Sequence, residues 1–445
     1  MRKLAPLVLL LIPGVLAGQP PTTPNRDPAV ALAKKIADDV SEFRGLPWKR
    51  EVDIASYDMG ELKAFVMKAL DKEMPDARAA RATRALKLLG LLPNDYELKK
   101  GFKEILVEQI GGFYDPEAKQ LRIIDRGTVE GDAVAKMVER MGLSAQDMDR
   151  TVMAHELVHA LQDQHFDLER LPLDRDDDDD LVVAVSSLVE GDATLSMMGM
   201  MMPGVDAGTL FGRAKQLALT VKLMGGLSGL APGDMKAYKN APEMLKERMM
   251  FPYLGGLLFC LQAGQGDKTF KGVDAVFSLP PLSTEQVLHP EKRLGDEPDW
   301  PQILEPQFQD GAARPIYQNT LGELFTRVML ETGISKRAAR TAAAGWDGDR
   351  YMLFEGEDGA DAVIWLSTWD TEDDAKEAFT ALQLWVGHRN GQKDDVSAAG
   401  IISRQGIDVS LCIGIDMAQA KELGPAMLRD MKRRERTTLP KRAAK

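Results

Sequence analysis

The segment TVMAHELVHALQDQH, residues 151–165, restricts the possible folds more than any other part of the chain. On an α-helix, positions i and i+4 lie one turn apart on one face, so His155 and His159 can approach a single ion with Glu156 beside them. Val152, His155, Glu156, His159 and Asp163 share one sector of the helical wheel; Met153, Leu157, Val158, Ala160 and Leu161 occupy the other. Such a helix buries its apolar side and turns its ionisable side to a cavity or cleft. An ordinary polar helix face has the same spacing, so a metal reading needs a third donor.

Composition narrows the choice of that donor. With five histidines and two cysteines in 445 residues, a four-cysteine site and a disulfide scaffold are both excluded. Any metal site must mix histidine and carboxylate, and a catalytic zinc takes three protein ligands with one position open. Glu190 lies in LVVAVSSLVEGDAT, an almost wholly apolar helical run at 181–194. A buried carboxylate is costly unless it is paired or metal-bound, which makes Glu190 the expected third ligand and a salt bridge its alternative. The acidic run Asp176–Asp180 lacks the spaced ligands of a calcium loop and suits the N-terminus of that helix. His165 is a rival, because it follows His159 at the spacing H-E-x-x-H-x-x-G-x-x-H. Gln162 replaces the glycine that would turn the chain, so a continuing helix carries His165 away.

His155-Glu156-x-x-His159 followed by Glu190-Gly191-Asp192-Ala193 resembles the gluzincin class of zinc metallopeptidases, whose aminopeptidase branch carries Glu-Gly-x-Ala around its third ligand. The 30-residue gap between His159 and Glu190 is longer than in those aminopeptidases, and no substrate-recognition motif of theirs lies upstream, so exopeptidase activity does not carry over. HELVHALQDQHFDL and LVEGDAT look like an exported bacterial branch of the class, over about 40 residues. The resemblance implies Zn²⁺ on His155, His159 and Glu190, Glu156 as general base, and a peptide or protein substrate. His289, expected to end a short helix capped by Ser283 and Gln286, is the candidate transition-state donor, with Tyr114 and Tyr253 behind it. The alternative is an exported binding or chaperone-like protein with a structural or vestigial zinc site.

The rest of the chain organises around this segment. Arg2 and Lys3 precede an apolar stretch, Leu4 to Leu16, and small residues at Val15-Leu16-Ala17, which reads as a signal peptide over 1–17 and export. A Pro-rich linker is expected at 18–28 and a mainly helical zincin-like domain with a small edge sheet at 29–304. In that domain, residues 110–114 and 120–124 read as two strands, and Gly111 and Gly112 would let a substrate backbone approach. A smaller C-terminal domain at 305–434 has the order β-β-α-β-β-α, giving an α+β chain, and a basic tail at 435–445 is expected to fray. No stretch after the first is expected to cross a bilayer, and the net charge of −12 argues against nucleic acid. The methionines at 197–202 are expected to pack, Cys260 and Cys412 to be free buried thiols, and His388 to have no role.

Overall fold

A computed structural model describes residues 27–57, 59–109, 112–124, 145–202, 204–223, 236–356, 359–390 and 400–440; the expected signal peptide and all of the linker but residues 27–28 lie outside them. The chain opens with α1 (Asp27–Arg44), β1 (Asp53–Tyr57), α2 (Met59–Glu73), α3 (Asp76–Leu88) and α4 (Leu98–Gln109). Gly90 ends α3: at φ 69° it lets its own N–H reach Lys87 and that of Leu91 reach Leu86, which satisfies the last carbonyls. Strands β2 (Gly112–Asp115) and β3 (Gln120–Ile124) form the expected hairpin. The short β1 adds to β3 in parallel, giving the order β1-β3-β2 with β2 at an edge.

Two long helices follow, α5 (Ala145–Phe166) and α6 (Asp179–Met201), then α7 (Ala207–Gly212), α8 (Ala214–Leu223), α9 (Lys236–Asn240) and α10 (Glu243–Ala263). Asp178 caps α6 by accepting from the Leu181 N–H at 3.1 Å, and Asp180 is buried against Thr284, so the acidic run serves the helix start. By length and composition α6 could cross a membrane, which corrects the expectation that no later stretch could. Its most apolar window is 78% buried inside the fold, so a helix apolar on every side is explained by its central position.

Short helices α11 (Lys271–Val276), α12 (Thr284–Leu288) and α13 (Glu291–Leu294) lead to β4 (Gln302–Glu305), β5 (Tyr317–Asn319), α14 (Gly322–Glu331) and α15 (Lys336–Ala343). The expected β-β-α-β-β-α order is then present as β6 (Trp346–Glu355), β7 (Asp361–Trp369), α16 (Glu372–Asn390), β8 (Ile401–Gln405), β9 (Asp408–Ile413) and α17 (Met417–Asp430), closed by β10 (Lys432–Glu435). Their antiparallel sheet runs β5-β6-β7-β9-β8. Alternation divides its faces: Val363 and Trp365 of β7 join one apolar cluster with Trp385 of α16, while Ile364 and Leu366 join another with Leu428 of α17.

The fold is α+β. Its largest apolar cluster runs without a break from Leu86 through Leu188 to Leu324 and Trp365. The boundary expected at 304/305 falls inside β4, which pairs antiparallel with β10. That pairing also holds the start of the basic tail in a strand, and Arg436 bonds the buried Asp178. The tail is therefore tied down as far as residue 436, because Glu435 is held in β10 and Arg436 meets the Asp178 carboxylate.

Candidate metal centre

The second ligand helix is positioned by two glycines. Gly191 of α6 and Gly256 of α10 meet so closely that a Cβ on Gly191 would lie 2.2 Å from the Gly256 carbonyl carbon, and one on Gly256 1.9 Å from the Ser187 oxygen. The glycine of Glu-Gly-x-Ala thus allows two helix backbones to touch directly beside Glu190. The Glu190 Oε2 lies 3.1 Å from His155 Nε2 and 3.6 Å from His159 Nε2. The two rings stand at 80° with centroids 4.7 Å apart, and each of the three residues offers a ligand atom within 4.8 Å of the others. All three are buried.

Behind the histidines lies a polar chain. His159 Nδ1 is 2.8 Å from Gln162 Oε1. The amide of Gln162 is oriented by its Nε2, which donates to Val189 O and Asp192 Oδ2, both pure acceptors, at 2.9 Å. Its oxygen must then face the imidazole, so His159 donates from Nδ1 and turns Nε2 toward Glu190, the arrangement by which an outer partner orients a metal-binding histidine. Asp192 takes two bonds from Arg44 of α1, at 2.8 and 3.1 Å, and Arg44 also reaches Asp274 at 2.6 Å and covers the Phe270 ring. The pair Arg44 and Asp192 is fully buried, with every charge facing an opposite one.

Burial brings His155 down to about 4. Burial also opposes charge on His159, but the Glu190 carboxylate outweighs it and holds His159 at about 9. Burial acts against ionised Glu190 as well, yet His159 and His155 bring it to about 2. Three buried atoms at the cluster, His155 Nδ1, His159 Nε2 and Glu156 Oε1, have no hydrogen-bond partner among the described residues, and of these the His159 nitrogen is the one turned toward Glu190. Two imidazole nitrogens and a carboxylate are a zinc donor set, and an ion among them would satisfy that orphaned His159 nitrogen, so these residues fit the group.

Glu156 accepts from the Tyr114 N–H at 2.6 Å, and burial pushes it up to about 8. The phenol of Tyr114 donates to Asp163 at 2.8 Å, and Lys119 reaches the same carboxylate at 2.9 Å. The polar sector of α5 therefore meets the β2–β3 hairpin rather than open solvent. Gly111 lies outside the described residues, and Gly112 begins the edge strand. Tyr253 of α10 lies with its ring 6.0 Å from that of His155, and it lines, with Glu190, a cavity of about 610 Å³ between α2, α3, α4, α6 and α10.

Other candidates lie elsewhere. His165 donates from Nε2 to Pro47 O at 2.8 Å, away from the cluster, as the missing glycine predicted. His289 ends α12 as expected, and Ser283 accepts from the Gln286 N–H, but the reciprocal bond runs from Leu282 N–H to Gln286 Oε1. The transition-state role expected for His289 has no support in its contacts. Its Nε2 bonds Glu323 at 3.0 Å, and α12 is anchored through Thr284 to Asp180, about 15 Å along α6 from Glu190. His388 is exposed on α16, the two cysteines are free and buried, and Met198 and Met200 pack on apolar clusters. Gln162, Asp192, Arg44 and Asp274 escaped the sequence reading. The first two carried a signal, since each is a polar residue in an apolar helix one turn or less from a proposed ligand. Arg44 and Asp274 carried none.

A model for a domain of unknown function (DUF8575) matches residues 313–423, which run from β5 into α17 and leave the metal cluster outside. The structure of a candidate hydrolase with a novel fold from Chloroflexus aurantiacus is similar at 16% identity and a TM-score of 0.37, over 61% of this chain and 91% of that one. No curated protein matches the sequence.

Proposed function

We propose that the chain is an exported zinc-dependent peptidase of gluzincin type. The observation that carries this reading is the convergence of His155, His159 and Glu190 in the interior, with Gln162 turning a free imidazole nitrogen toward the carboxylate. Zinc held by those donors would supply Lewis acidity, lowering the pKa of a coordinated water toward neutrality and polarising a carbonyl. Glu156 Oε1 takes the water's proton and returns it to the leaving amine. Its other oxygen stays fixed by the Tyr114 N–H, which holds the carboxylate in place for that transfer. Tyr253, on the cavity side of His155, replaces His289 as the donor to the oxyanion.

Complete burial of the donors and Glu156 favours a second reading, a closed structural zinc site in an exported binding protein. Cleavage of an unfolded protein separates the two. At equal zinc content, Glu156→Gln is expected to slow a chelator-sensitive activity by about 10²–10⁴-fold. Equal rates, or no cleavage by either protein when fully loaded, would remove the peptidase reading and leave the structural one.

A further inference from the structure

We infer that the cavity opening from Glu190 is a binding site for bulky apolar side chains of an extended peptide, and that it selects the substrate; this rests on the peptidase reading above. Its volume of about 610 Å³ falls in the range of small-ligand pockets, roughly 300–1,000 Å³. The walls are largely apolar, with Val66, Leu86, Phe102, Leu106, Met244 and Met249 among them, and they come from five helices. Where α3 faces this space it presents Ala79 and Ala82, so the hollow exists because small side chains stand where larger ones would fill it. Apolar wall left open to water is costly, in proportion to its area. A ligand that places apolar groups there removes that cost.

Position and charge point to a peptide. Glu190 and Tyr253 are among the lining residues, so a chain seated there lies beside the proposed reacting groups. The rim is charged, but its cations are engaged: Arg175 with Asp177, Arg248 with Asp179, and Arg78 with the carbonyls of Glu73 and Asp176. Selection is therefore assigned to the apolar walls. The flexible thioethers of Met74, Met244 and Met249 let one cavity accept leucine, methionine or phenylalanine alike.

The test is binding to zinc-loaded Glu156→Gln protein, read by fluorescence anisotropy. A labelled peptide with a Leu-Phe-Leu core is expected to bind at least about tenfold tighter than the same peptide with Ser-Gly-Ser, since single apolar groups in such pockets discriminate by roughly 10- to 200-fold. Adding Ala82→Phe, or the milder Ala79→Leu should that variant misfold, is expected to weaken the apolar peptide about tenfold while zinc content stays unchanged. Equal affinity for the two peptides overturns the inference, as does an unchanged affinity in a folded cavity-filling variant. Binding of dodecanoate with neither peptide bound would assign the space to an acyl chain and equally overturn it. Selective peptide binding without cleavage by the wild type would leave this inference standing and remove the peptidase.

Discussion

Among the described residues, two clusters bring three acidic or imidazole donors within 4.8 Å of one another, and they differ in what lies between them. In the first, His155, His159 and Glu190 are all buried, and no lysine or arginine among the described residues bonds any of the three. In the second, Glu285, Asp299 and Asp370 surround Lys292, whose ammonium bonds Glu285 at 2.6 Å and Asp299 at 2.9 Å and also reaches Asp370. The protein's own cation already occupies the centre of that second cage. Donor proximity alone therefore does not mark a metal centre. What marks one is proximity without a lysine or arginine at the centre, together with outer partners such as Gln162 that fix donor direction.

The comparison is broken most directly by removing one donor from each cluster. Glu190→Ala is expected to take bound zinc from about one equivalent to near none, because catalytic sites rest on three protein ligands. Asp370→Ala is expected to leave zinc unchanged. Metal content of the purified proteins by mass spectrometry decides, and full retention in Glu190→Ala would sink the ligand assignment.

Removing the internal cation should affect stability instead. Lys292→Met leaves the buried Glu285 beside two partly exposed aspartates with no positive partner. Breaking a buried pair costs about 3–5 kcal/mol, and water around the exposed aspartates reduces that here to about 2–4 kcal/mol. The denaturation midpoint should fall accordingly, with zinc content unchanged. A variant as stable as the wild type would mean that the cage is not held by its lysine.

A smaller effect is expected from the outer partner. Gln162→Leu keeps the helix and the three ligands but frees the His159 ring, and loss of such a partner typically costs 10- to 100-fold in metal affinity. Competition with a chromogenic chelator measures it. Unaltered affinity would show that the Gln162 contact does not orient the donor.

The parts of this architecture that were legible are those encoded over short distances. His155, Glu156 and His159 share one helical turn, and Glu190 declared itself as a charge in an apolar run, so both could be named from spacing and cost. Arg44 could not be, since it meets Asp192 across 148 positions and Asp274 across 230. The same limit explains the domain boundary: residues 302–304 read as the end of the first unit, and only their pairing with β10, near the far end of the chain, joins them to the C-terminal part. The His289 expectation failed in a related way. Its local capping was read correctly, but which end of α6 that short helix packs against is a tertiary fact. Strand β1 was missed because five residues, Asp53 to Tyr57, carry little periodicity and their partner β3 lies beyond three intervening helices.

The smallest effect separates the two histidine–carboxylate pairs. His289 is raised from its ordinary value by its hydrogen bond to Glu323 and is one-third exposed, whereas His159 faces Glu190 in full burial. A histidine whose folded pKa exceeds its unfolded value of about 6.5 adds stability that is complete below that pH and is lost as pH rises through the folded value. Burial raises Glu323 too, partly offset by the same bond, and a raised carboxyl also makes stability fall with rising pH. The stability difference between wild type and Glu323→Gln should therefore shrink from pH 6 to pH 9, and with this exposure it should stay below about 1 kcal/mol. NMR of ¹³C-labelled histidine reads the pair directly: the His289 titration should move down toward 6.5 in Glu323→Gln. Adding zinc should then silence the titrations of His155 and His159 and leave that of His289 in place, because protons and metal compete only where the imidazole is a ligand. A His289 signal that shifts on adding zinc, or one that ignores the loss of Glu323, would erase the distinction between the two pairs.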